Sequence, residues 1–537
     1  MKKHKMLYFD IETNAIDFWP TLAGLKDLHC ISIYDPDARK MHSFSSNANN
    51  LDEGVAMLNS AYNICGHNAI NFDAPALRKL GYEISARVVD TKVMSQVMHP
   101  DLFTEDCRRG EEFPKNLRGR HSLKAWGLRL GNEKDDHGAT EDWTQWSQEM
   151  QDYCEQDVNV VVDLFLHFMS QKPSADMLFL EHDFAELMTQ QEMNGWPFDI
   201  KKANELAEEL MARRAELRDE LQDMFPSTTE EMKTPKGWTV EVDGKTFTAA
   251  TKGGLKLVLK ENKLKQVLAD KAAKTGNKTK TIPFNPNSRD QIAERLMKMG
   301  WEPEAYEGKR PKIDEAVLKE IDKPEAKLLL EYLLISKRLG QVAEGRQAWL
   351  TLVRDGRIHG EVNTNGAVSG RCTHSKPNVA QVPAPRAVYG SQCRDLFTAP
   401  EGKVLVGADA SSAELRCLAH YLYPYDKGMY AQTIVEGDIH ALNQQAAGLP
   451  DRSSAKRFIF AFLYGGGDAL IGKIVGGGRR EGKRIKEEFM RKTPAIKRLH
   501  KDIEHALKGK QWLGGLDGRR LPVRSAHSAL NLLLQSA

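Results

Sequence analysis

Acidic residues that could bind metal ions first occur in a short apolar segment near the start of the chain. The segment MLYFDIETN is typical of a β-strand, and it carries Asp10 and Glu12 at its end. Because side chains alternate along a strand, residues two apart point to the same side. We therefore expect the two carboxylates to project together, either in a metal site or as an ordinary solvated pair at a sheet edge.

Further acids occur in two later segments. Asp73 follows an apolar stretch in HNAINFD, and YCEQD places Tyr153 and Asp157 four residues apart, on one face of a predicted helix. Carboxylates gathered from separate elements repel one another unless a cation lies among them, and Mg²⁺ or Mn²⁺ prefers such oxygen ligands. The four acids therefore predict a two-metal centre acting on a phosphodiester, with Tyr153 orienting the attacking water. The alternative is a set of unrelated surface acids, and we interpret nearby Asp90 as a structural or capping group.

A second candidate centre lies in the C-terminal third of the chain. The segment EGKVLVGADASSAELRCLAHYL begins with apolar residues 404–406, which predict a buried strand that ends at Asp409. An amphipathic helix containing Glu414 follows. A single aspartate after a strand is usually a helix cap, so this segment alone does not define a site.

The segment DRSSAKRFIFAFLYGGG follows about forty residues later and adds cations and aromatic rings. Arg452, Lys456, Phe460 and Tyr464 are spaced by four, so they form one slowly rotating face of a predicted helix. Cations suit a triphosphate, and aromatic faces suit a stacked base. The alternative is an ordinary solvated basic face, which would not explain why the aromatic residues continue the same stripe.

The first set of motifs resembles a known nuclease family. FDIET, HNAINFD and YCEQD are similar to the three motifs of the DEDD-type 3′→5′ exonucleases, tyrosine subclass. The resemblance implies that four carboxylates bind metal and that Tyr153 positions the water; the carboxylates are those of Asp10, Glu12, Asp73 and Asp157.

The second set resembles family A DNA polymerases, of the replicative type found in podophages. Motif A corresponds to Asp409, Ser411, Glu414 and Arg416, and motif B to Arg452, Lys456, Phe460, Tyr464 and Gly465. Other similar stretches occur along nearly the whole chain, among them SLKAWGLRLG, FNPNSRD and IHGEVNTNGAVSGR.

The resemblance implies a role for each group of residues in the second centre. The metal ligands are the Asp409 carboxylate and the Ala410 carbonyl. The dNTP-binding residues are Glu414, His440, Arg452, Lys456, Phe460 and Tyr464, and the duplex contacts are Arg371, His527, Asn531 and Gln535. His527 is alternatively a packed core histidine.

The implied fold is an α/β exonuclease domain, with an RNase H-like mixed sheet flanked by helices, followed by an α+β right-hand polymerase domain. We expect the exonuclease domain at 1–172, the thumb at 173–345, the palm at 346–425 and the fingers at 426–537. A lysine-rich insertion at about 230–282 interrupts the thumb, and we expect parts of it to be flexible solvated loop. In relatives a thumb insertion binds a host thioredoxin, but this segment departs from that pattern.

A family A polymerase also has a second palm carboxylate in a V-H-D-E motif, which this sequence does not contain. We therefore expect a C-terminally incomplete polymerase, either a fragment or one part of a split enzyme, with most phosphoryl transfer lost at the second centre. The rival functions are a stand-alone 3′→5′ exonuclease and a non-catalytic DNA-binding module.

The composition, 41% hydrophobic and 28% charged, is that of an ordinary globular protein, and no apolar run is long enough to predict a membrane span. With a net charge of only +2, any nucleic-acid-binding surface must be local. The resemblance implies Mg²⁺ as cofactor, two ions per site with Mn²⁺ as a substitute. It also implies primer–template DNA, dNTPs and a phage helicase–primase as partners, in the cytoplasm of an infected bacterial host.

Overall fold

The computed structural model describes residues 4–14, 22–132 and 143–536. The chain divides into two compact units. The first comprises Met1–Trp196, His359–Ala380 and Ala399–Ala537, and the second comprises Pro197–Ile358 and Gln381–Thr398. None of the described helices combines the length and the apolar character needed to cross a membrane.

The N-terminal part of the first unit is built on a five-stranded mixed sheet, as predicted. Its strands are β1 His4–Thr13, β2 Leu28–Asp35, β3 Lys40–Ser45, β4 Ala61–Gly66 and β5 Arg87–Asp90, in the order β3-β2-β1-β4-β5. Strand β1 is antiparallel to β2 and parallel to β4. The central strand is anchored by the buried side chains of Leu7, Phe9 and Ile11.

Among the described residues, seven α-helices accompany this sheet. They are α1 Leu51–Asn59, α2 Asp73–Lys79, α3 Thr91–Met98, α4 Leu102–Arg108, α5 Leu123–Leu130, α6 Gln148–Ser170 and α7 Ala175–Asn194, after which the short strand β6 covers Trp196–Pro197. Helix α6 packs against β1 and β2. Its side chains Val160, Val161 and Leu164 are completely buried, so one side of this helix is apolar and lies inside the fold.

The second unit is mainly helical. Its helices are α8 Ile200–Met224, α9 Lys252–Glu261, α10 Arg289–Lys298, α11 Glu315–Glu320, α12 Pro324–Leu339, α13 Trp349–Leu352 and α14 Gly390–Asp395. Helices α8 and α12 pack together, and Arg213 of α8 forms an ion pair with Glu331 of α12 at 2.9 Å. Short strands also occur at β12 Tyr306–Glu307, β13 Arg310–Pro311 and β14 Arg357–Ile358.

Residues 228–282, which we call the lysine-rich module, are folded rather than partly flexible, contrary to our expectation. Strands β7 Thr228–Pro235 and β11 Asn277–Ile282 form an antiparallel ribbon. Between them, β8 Trp238–Val242, β9 Lys245–Ala249 and β10 Ala273–Lys274 form a three-stranded sheet that packs with α9. The module folds because its apolar residues, among them Leu255, Leu259 and Ala269, form a core of their own.

The rest of the first unit is a short hairpin followed by a helical layer. The hairpin is β15 Glu361–Asn363 with β16 Thr373–Ser375. The later elements are α15 Ala413–Asp426, α16 Met429–Glu436, α17 Ile439–Ala447, α18 Arg452–Leu463, α19 Asp468–Ile474, α20 Arg479–Lys492, α21 Pro494–Ala506, β17 Trp512–Gly514, β18 Arg520–Pro522 and α22 Ala529–Gln535. One hydrophobic core connects α15, α18, α20 and α22, with Leu415, Phe458 and Phe489 completely buried.

The strand predicted at residues 404–406 is absent, so this prediction was wrong. Residues 403–410 form no strand or helix, and Val404, Leu405 and Val406 are 81%, 54% and 88% exposed. A strand requires a neighbour for its backbone hydrogen bonds, and no sheet of the described residues includes this segment. Its apolar side chains therefore remain exposed in a segment without regular secondary structure.

Candidate active sites

The first candidate centre starts at the end of β1. The carboxylate oxygens of Asp10 and Glu12 and the sulfur of Cys154 lie within 4.8 Å of one another. The Cys154 thiol, on α6, donates to the Asp10 backbone carbonyl at 3.4 Å. We did not predict a role for Cys154. Its place between Tyr153 and Asp157, one turn before Asp157 on the same helix, is the signal that could have identified it.

Asp73 joins this centre through a backbone hydrogen bond. Its carboxylate is buried and accepts the backbone N–H of Ile11, the residue between Asp10 and Glu12. Ile11 is paired with β2 on one edge of β1 but lies beyond the part of β1 that pairs with β4, which ends at Tyr8. Three of the four predicted carboxylates therefore meet around the end of β1.

Asp157, on α6, supplies the fourth carboxylate. It is buried and close enough to Asp73 for its charge to influence the Asp73 carboxyl. Tyr153 lies one turn earlier on the same helix, with its ring edge against Trp143 at a centroid distance of 6.2 Å. The structure thus brings the predicted acids together and places Tyr153 on the helix that carries Asp157.

Burial raises the pKa of Asp73 to about 7, and the negative charges of Asp90 and Asp157 add to the rise. The backbone N–H groups of Asp73 and Ile11 act in the opposite direction. A carboxylate in this position is costly near neutral pH unless positive charge is nearby. An all-oxygen donor set with excess negative charge is the kind that a hard divalent cation prefers, so these residues fit such an ion.

Asp90 acts as a cap, which confirms our interpretation. Its side chain accepts the backbone N–H groups of Asn68 at 2.8 Å, Ile70 at 3.0 Å and Lys92 at 2.8 Å, and so begins α3. The Lys92 ammonium donates to the Asn68 side chain at 2.8 Å. These bonds fix the HNAINFD segment that leads into Asp73.

The second candidate centre is organised by α18. Asp451 caps its N-terminus by accepting the Ser454 N–H at 2.8 Å. Phe458, Ile459 and Phe462 are buried in the helical core, so the face that carries the predicted residues is turned outward. That face exposes Arg452, Lys456 and Tyr464, with Phe460 partly buried and its ring centroid 6.2 Å from that of Tyr464.

Asp438 connects two of the predicted nucleotide-binding residues. Arg452 donates to its carboxylate at 2.7 Å and 3.3 Å, and the same carboxylate accepts the His440 backbone N–H at 2.9 Å. Burial, together with the positive charge of Arg452, lowers the pKa of His440. Asp438 was not among the predicted site residues, although GDIH places it two residues before His440.

Glu414 is the meeting point of four segments. It accepts a hydrogen bond from Arg371 at 3.0 Å and one from the Tyr464 hydroxyl at 3.1 Å. Tyr464 also hydrogen-bonds the Gln535 side chain. Burial opposes ionisation of Glu414, but hydrogen bonds from its own backbone, Arg371 and Tyr464 outweigh it and lower the pKa. Residues predicted to bind nucleotide and residues predicted to bind duplex therefore share one network.

The structure does not bring Asp409 and Ala410 into this network. Both lie in the exposed 403–410 segment, and within the described parts of the chain the Asp409 carboxylate makes no hydrogen bond or ion pair. The predicted metal ligand Asp409 is therefore not supported by a strand, whereas the residues carried by helices are held in place.

The remaining predicted duplex contacts lie around α22. His527 is exposed, which excludes a packed core histidine, and its backbone carbonyl faces Gly465. A Cβ at Gly465 would lie 2.7 Å from that carbonyl oxygen, and Gly465 also has a φ of +73°, so glycine is required there. Asn531 is partly buried, and its side-chain oxygen has no hydrogen-bond partner within the described residues.

Comparisons with known proteins agree with these features. The family described as DNA polymerase family A matches residues 256–535. An alignment 626 residues long, gaps included, shows 37% identity to the DNA-directed DNA polymerase of Escherichia phage T7. It covers 99% of this chain and 88% of that protein. The DNA-directed DNA polymerase of Enterobacteria phage T3 gives the same identity and coverage.

A solved structure extends the agreement to the fold. The POL domain of Pol1 from M. smegmatis, in complex with DNA primer-template and dNTP, matches with a TM-score of 0.67, covering 95% of this chain and 80% of that one at 15% identity. The predicted polymerase fold and the predicted resemblance to phage replicative polymerases are both confirmed. The chain belongs to DNA polymerase family A.

Proposed function

We propose that this protein is a DNA-directed DNA polymerase that also removes nucleotides from DNA 3′ ends. The observation that carries the nuclease activity is the convergence of Asp10, Glu12 and Asp73 at the end of β1, with Asp157 close by. Family membership supports the polymerase activity. The proposed substrates are primer–template DNA and dNTPs.

In the nuclease site, Asp10, Glu12, Asp73 and Asp157 are the residues that would hold Mg²⁺, with Mn²⁺ as a substitute. When bound, the divalent ions supply positive charge to the scissile phosphate and favour ionisation of the attacking water. Tyr153 orients that water. The Ile11 N–H fixes the Asp73 carboxylate, and Cys154 fixes α6 against β1.

In the synthesis site, α18 presents Arg452 and Lys456 to the triphosphate, with His440 beside them. Glu414 contacts the sugar of the dNTP, Phe460 lines the pocket, and Tyr464 lies where the template base enters. Asp409 and Ala410 are the proposed Mg²⁺ ligands. Duplex contacts are assigned to Arg371, His527, Asn531 and Gln535.

The proposal also includes the domain limits, the place of action and the protein partners predicted from the sequence. The domain limits are 1–172, 173–345, 346–425 and 426–537, and the place of action is the cytoplasm of an infected bacterial host. A thioredoxin-like processivity factor and a phage helicase–primase are the partners that the family resemblance suggests.

One observation favours a second candidate, a 3′→5′ exonuclease whose polymerase half only holds DNA. Asp409 lies in an exposed segment without a neighbouring strand, whereas the four acids of the nuclease site are held by packed elements. A site that depends on Asp409 is therefore less well supported than one that depends on Asp10.

A single assay separates the two candidates. A 5′-labelled primer on a longer template is incubated with Mg²⁺, with and without dNTPs, and the products are resolved on a sequencing gel. The polymerase proposal expects shortening without dNTPs and extension with them. Shortening in both lanes supports the exonuclease-only candidate, and an unchanged primer in both lanes contradicts both.

A further inference from the structure

The lysine-rich module is a self-contained unit that is joined to its surroundings by one ribbon. In β7 and β11, Pro235 pairs with Asn277, and the Lys236 N–H donates to the Gly276 carbonyl at 2.7 Å. Everything between these residues folds around the module's own core, which includes Leu255 and Leu259. The fold of the module therefore depends on its own residues, and its surface can bind a ligand separately from the helices that flank it in sequence.

The module concentrates positive charge. Residues 228–282 contain twelve lysines and six acidic residues, with no arginine or histidine, although the whole chain has a net charge of only +2. On α9, Lys252, Lys256 and Lys260 are spaced by four, and Lys263 follows just after the helix. Lys252, Lys256 and Lys260 therefore form a stripe along α9, beside the side that Leu255 and Leu259 bury, and Lys263 extends this stripe past the end of the helix.

Most of this charge is not neutralised within the protein. In the described parts of the chain, Lys256 is the one lysine of the module that pairs with a carboxylate, that of Asp270 at 3.3 Å. The Lys252 ammonium lies over the Trp238 ring at 4.6 Å. Lys260, Lys263 and Lys265 are exposed at the end of α9 and are available to a ligand.

We propose that this stripe, together with Lys265, binds the sugar–phosphate backbone of DNA without reading its sequence. The proposal rests on the proposed function, because it takes DNA as the substrate. Lysine ammonium groups act as point charges toward phosphate, and the module has no arginine to recognise a base edge in a bidentate manner. Binding through phosphate alone makes the affinity fall steeply with salt.

A protein partner is the competing use of the same surface. Leu257 and Val267 are 62% and 63% exposed, and apolar side chains of this kind can join a protein interface. Exposed apolar residues that occur singly are also ordinary on protein surfaces. The unpaired lysines outnumber these exposed apolar residues, so the composition of the surface favours binding of a polyanion over binding of a protein.

The first test measures the salt dependence of DNA binding. Wild type is compared with the triple variant Lys260→Gln, Lys263→Gln, Lys265→Gln, with fluorescence anisotropy of a labelled primer–template in EDTA at several KCl concentrations. Each phosphate contact contributes about 0.9 to the slope of log K against log salt, so the slope should decrease by up to about 3. The loss of affinity should be equal for two unrelated DNA sequences.

A matched control variant replaces three exposed lysines that lie outside the module. Its substitutions are Lys40→Gln, Lys115→Gln and Lys309→Gln. It changes the net charge by the same amount and should leave the slope near that of wild type. An equal decrease in both triple variants, or no decrease in either, overturns the proposal, because the effect would then be absent or not local to the module.

A second variant removes the part of the module beyond its β7–β11 ribbon and tests the protein-partner alternative. Residues 236–276 are replaced by Asn-Gly, which closes β7 and β11 as a two-residue hairpin. The proposal expects a reduced slope and weaker primer–template binding, with unchanged shortening of a single-stranded oligonucleotide. Unchanged DNA binding overturns it in favour of a protein partner. If wild type does not bind primer–template at all, the proposed function fails instead.

Discussion

The two candidate centres lie in the same unit but are supported in different ways. In the nuclease centre, the acids are carried by β1 of the five-stranded sheet, by α2 and by α6, and the backbone N–H of Ile11 fixes one of them. In the synthesis centre, α18 holds its cations and aromatic rings on a complete hydrophobic core. Its proposed metal ligand, Asp409, lies instead in an exposed segment.

This difference shows that a sequence motif can be present without neighbouring strands or helices that hold its side chains in place. Both Asp10 and Asp409 follow an apolar segment in the sequence, yet only the first segment is paired on both edges. Hydrogen bonding to neighbouring strands, and not the apolar composition, decides whether a carboxylate is held in place. The following predictions test this contrast, from the largest expected effect to the smallest.

Removing both charges at the end of β1 should have the largest effect. The double variant Asp10→Asn, Glu12→Gln loses two of the four oxygen-donor charges, so release of 3′ nucleotides in Mg²⁺ should decrease by about 10³-fold or more. Affinity for primer–template in EDTA should change little. Glu53→Gln, an exposed acid on α1, is the control and should retain wild-type cleavage. Full cleavage by the double variant would exclude the proposed site.

A matched pair of leucine truncations should compare the two apolar segments directly. Leu7→Ala removes a completely buried side chain of β1 and should lower the free energy of unfolding by about 2–5 kcal/mol. Leu405 is 54% exposed, so Leu405→Ala should cost less than about 0.5 kcal/mol. Chemical denaturation measures both. Equal losses would mean that residues 403–410 are packed in solution, and the contrast drawn here would not hold.

The Asp73 carboxyl should make stability depend on pH when divalent ions are absent. Its pKa rises from 3.8 to about 7 on folding, so its favourable contribution is complete below pH 3.8 and is lost as the pH rises through about 7. In EDTA, Asp73→Asn should therefore raise Tm more at pH 8 than at pH 5. Asp409→Asn should leave Tm unchanged at both values, since Asp409 is exposed. A similar response of the two variants would contradict the difference in burial.

The smallest effect concerns the Glu414 network. Tyr464→Phe removes one hydrogen bond to the Glu414 carboxylate, a contact worth about 1 kcal/mol, and should raise the pKa of Glu414 toward its ordinary value. NMR titration of the side-chain carboxyl measures this change. Tyr423→Phe, at an exposed tyrosine on α15, is the control. An unaltered titration of Glu414 in Tyr464→Phe would show that the bond is not formed in solution.

Local periodicity was enough to predict several supports of the two sites. Strand β1 was predicted from its short apolar segment, helices α6 and α18 from the four-residue spacing of their site residues, and Asp90 is the cap that its position suggests. These elements depend on residues that are close in sequence, which a linear pattern records.

Contacts between distant segments could not be predicted in the same way. The bonds of Glu414 to Arg371 and Tyr464 join residues more than forty positions apart, and the ribbon of the lysine-rich module pairs Thr228 with Ile282. The apolar run at 404–406 gave a wrong prediction for the same reason, because its composition does not reveal whether a neighbouring strand is present.

The early end of the pairing between β1 and β4 has a consequence for how the nuclease site tolerates change. Pairing stops at Tyr8, and the Ile11 N–H is bonded to Asp73 instead of to a strand. Extending β4 far enough along β1 to use that N–H would take it away from Asp73 while adding a ladder bond to the sheet. Insertions that lengthen β4 could thus make the protein more stable and less active. The nuclease site therefore requires that β4 stay short, and selection for stability alone would not maintain that length.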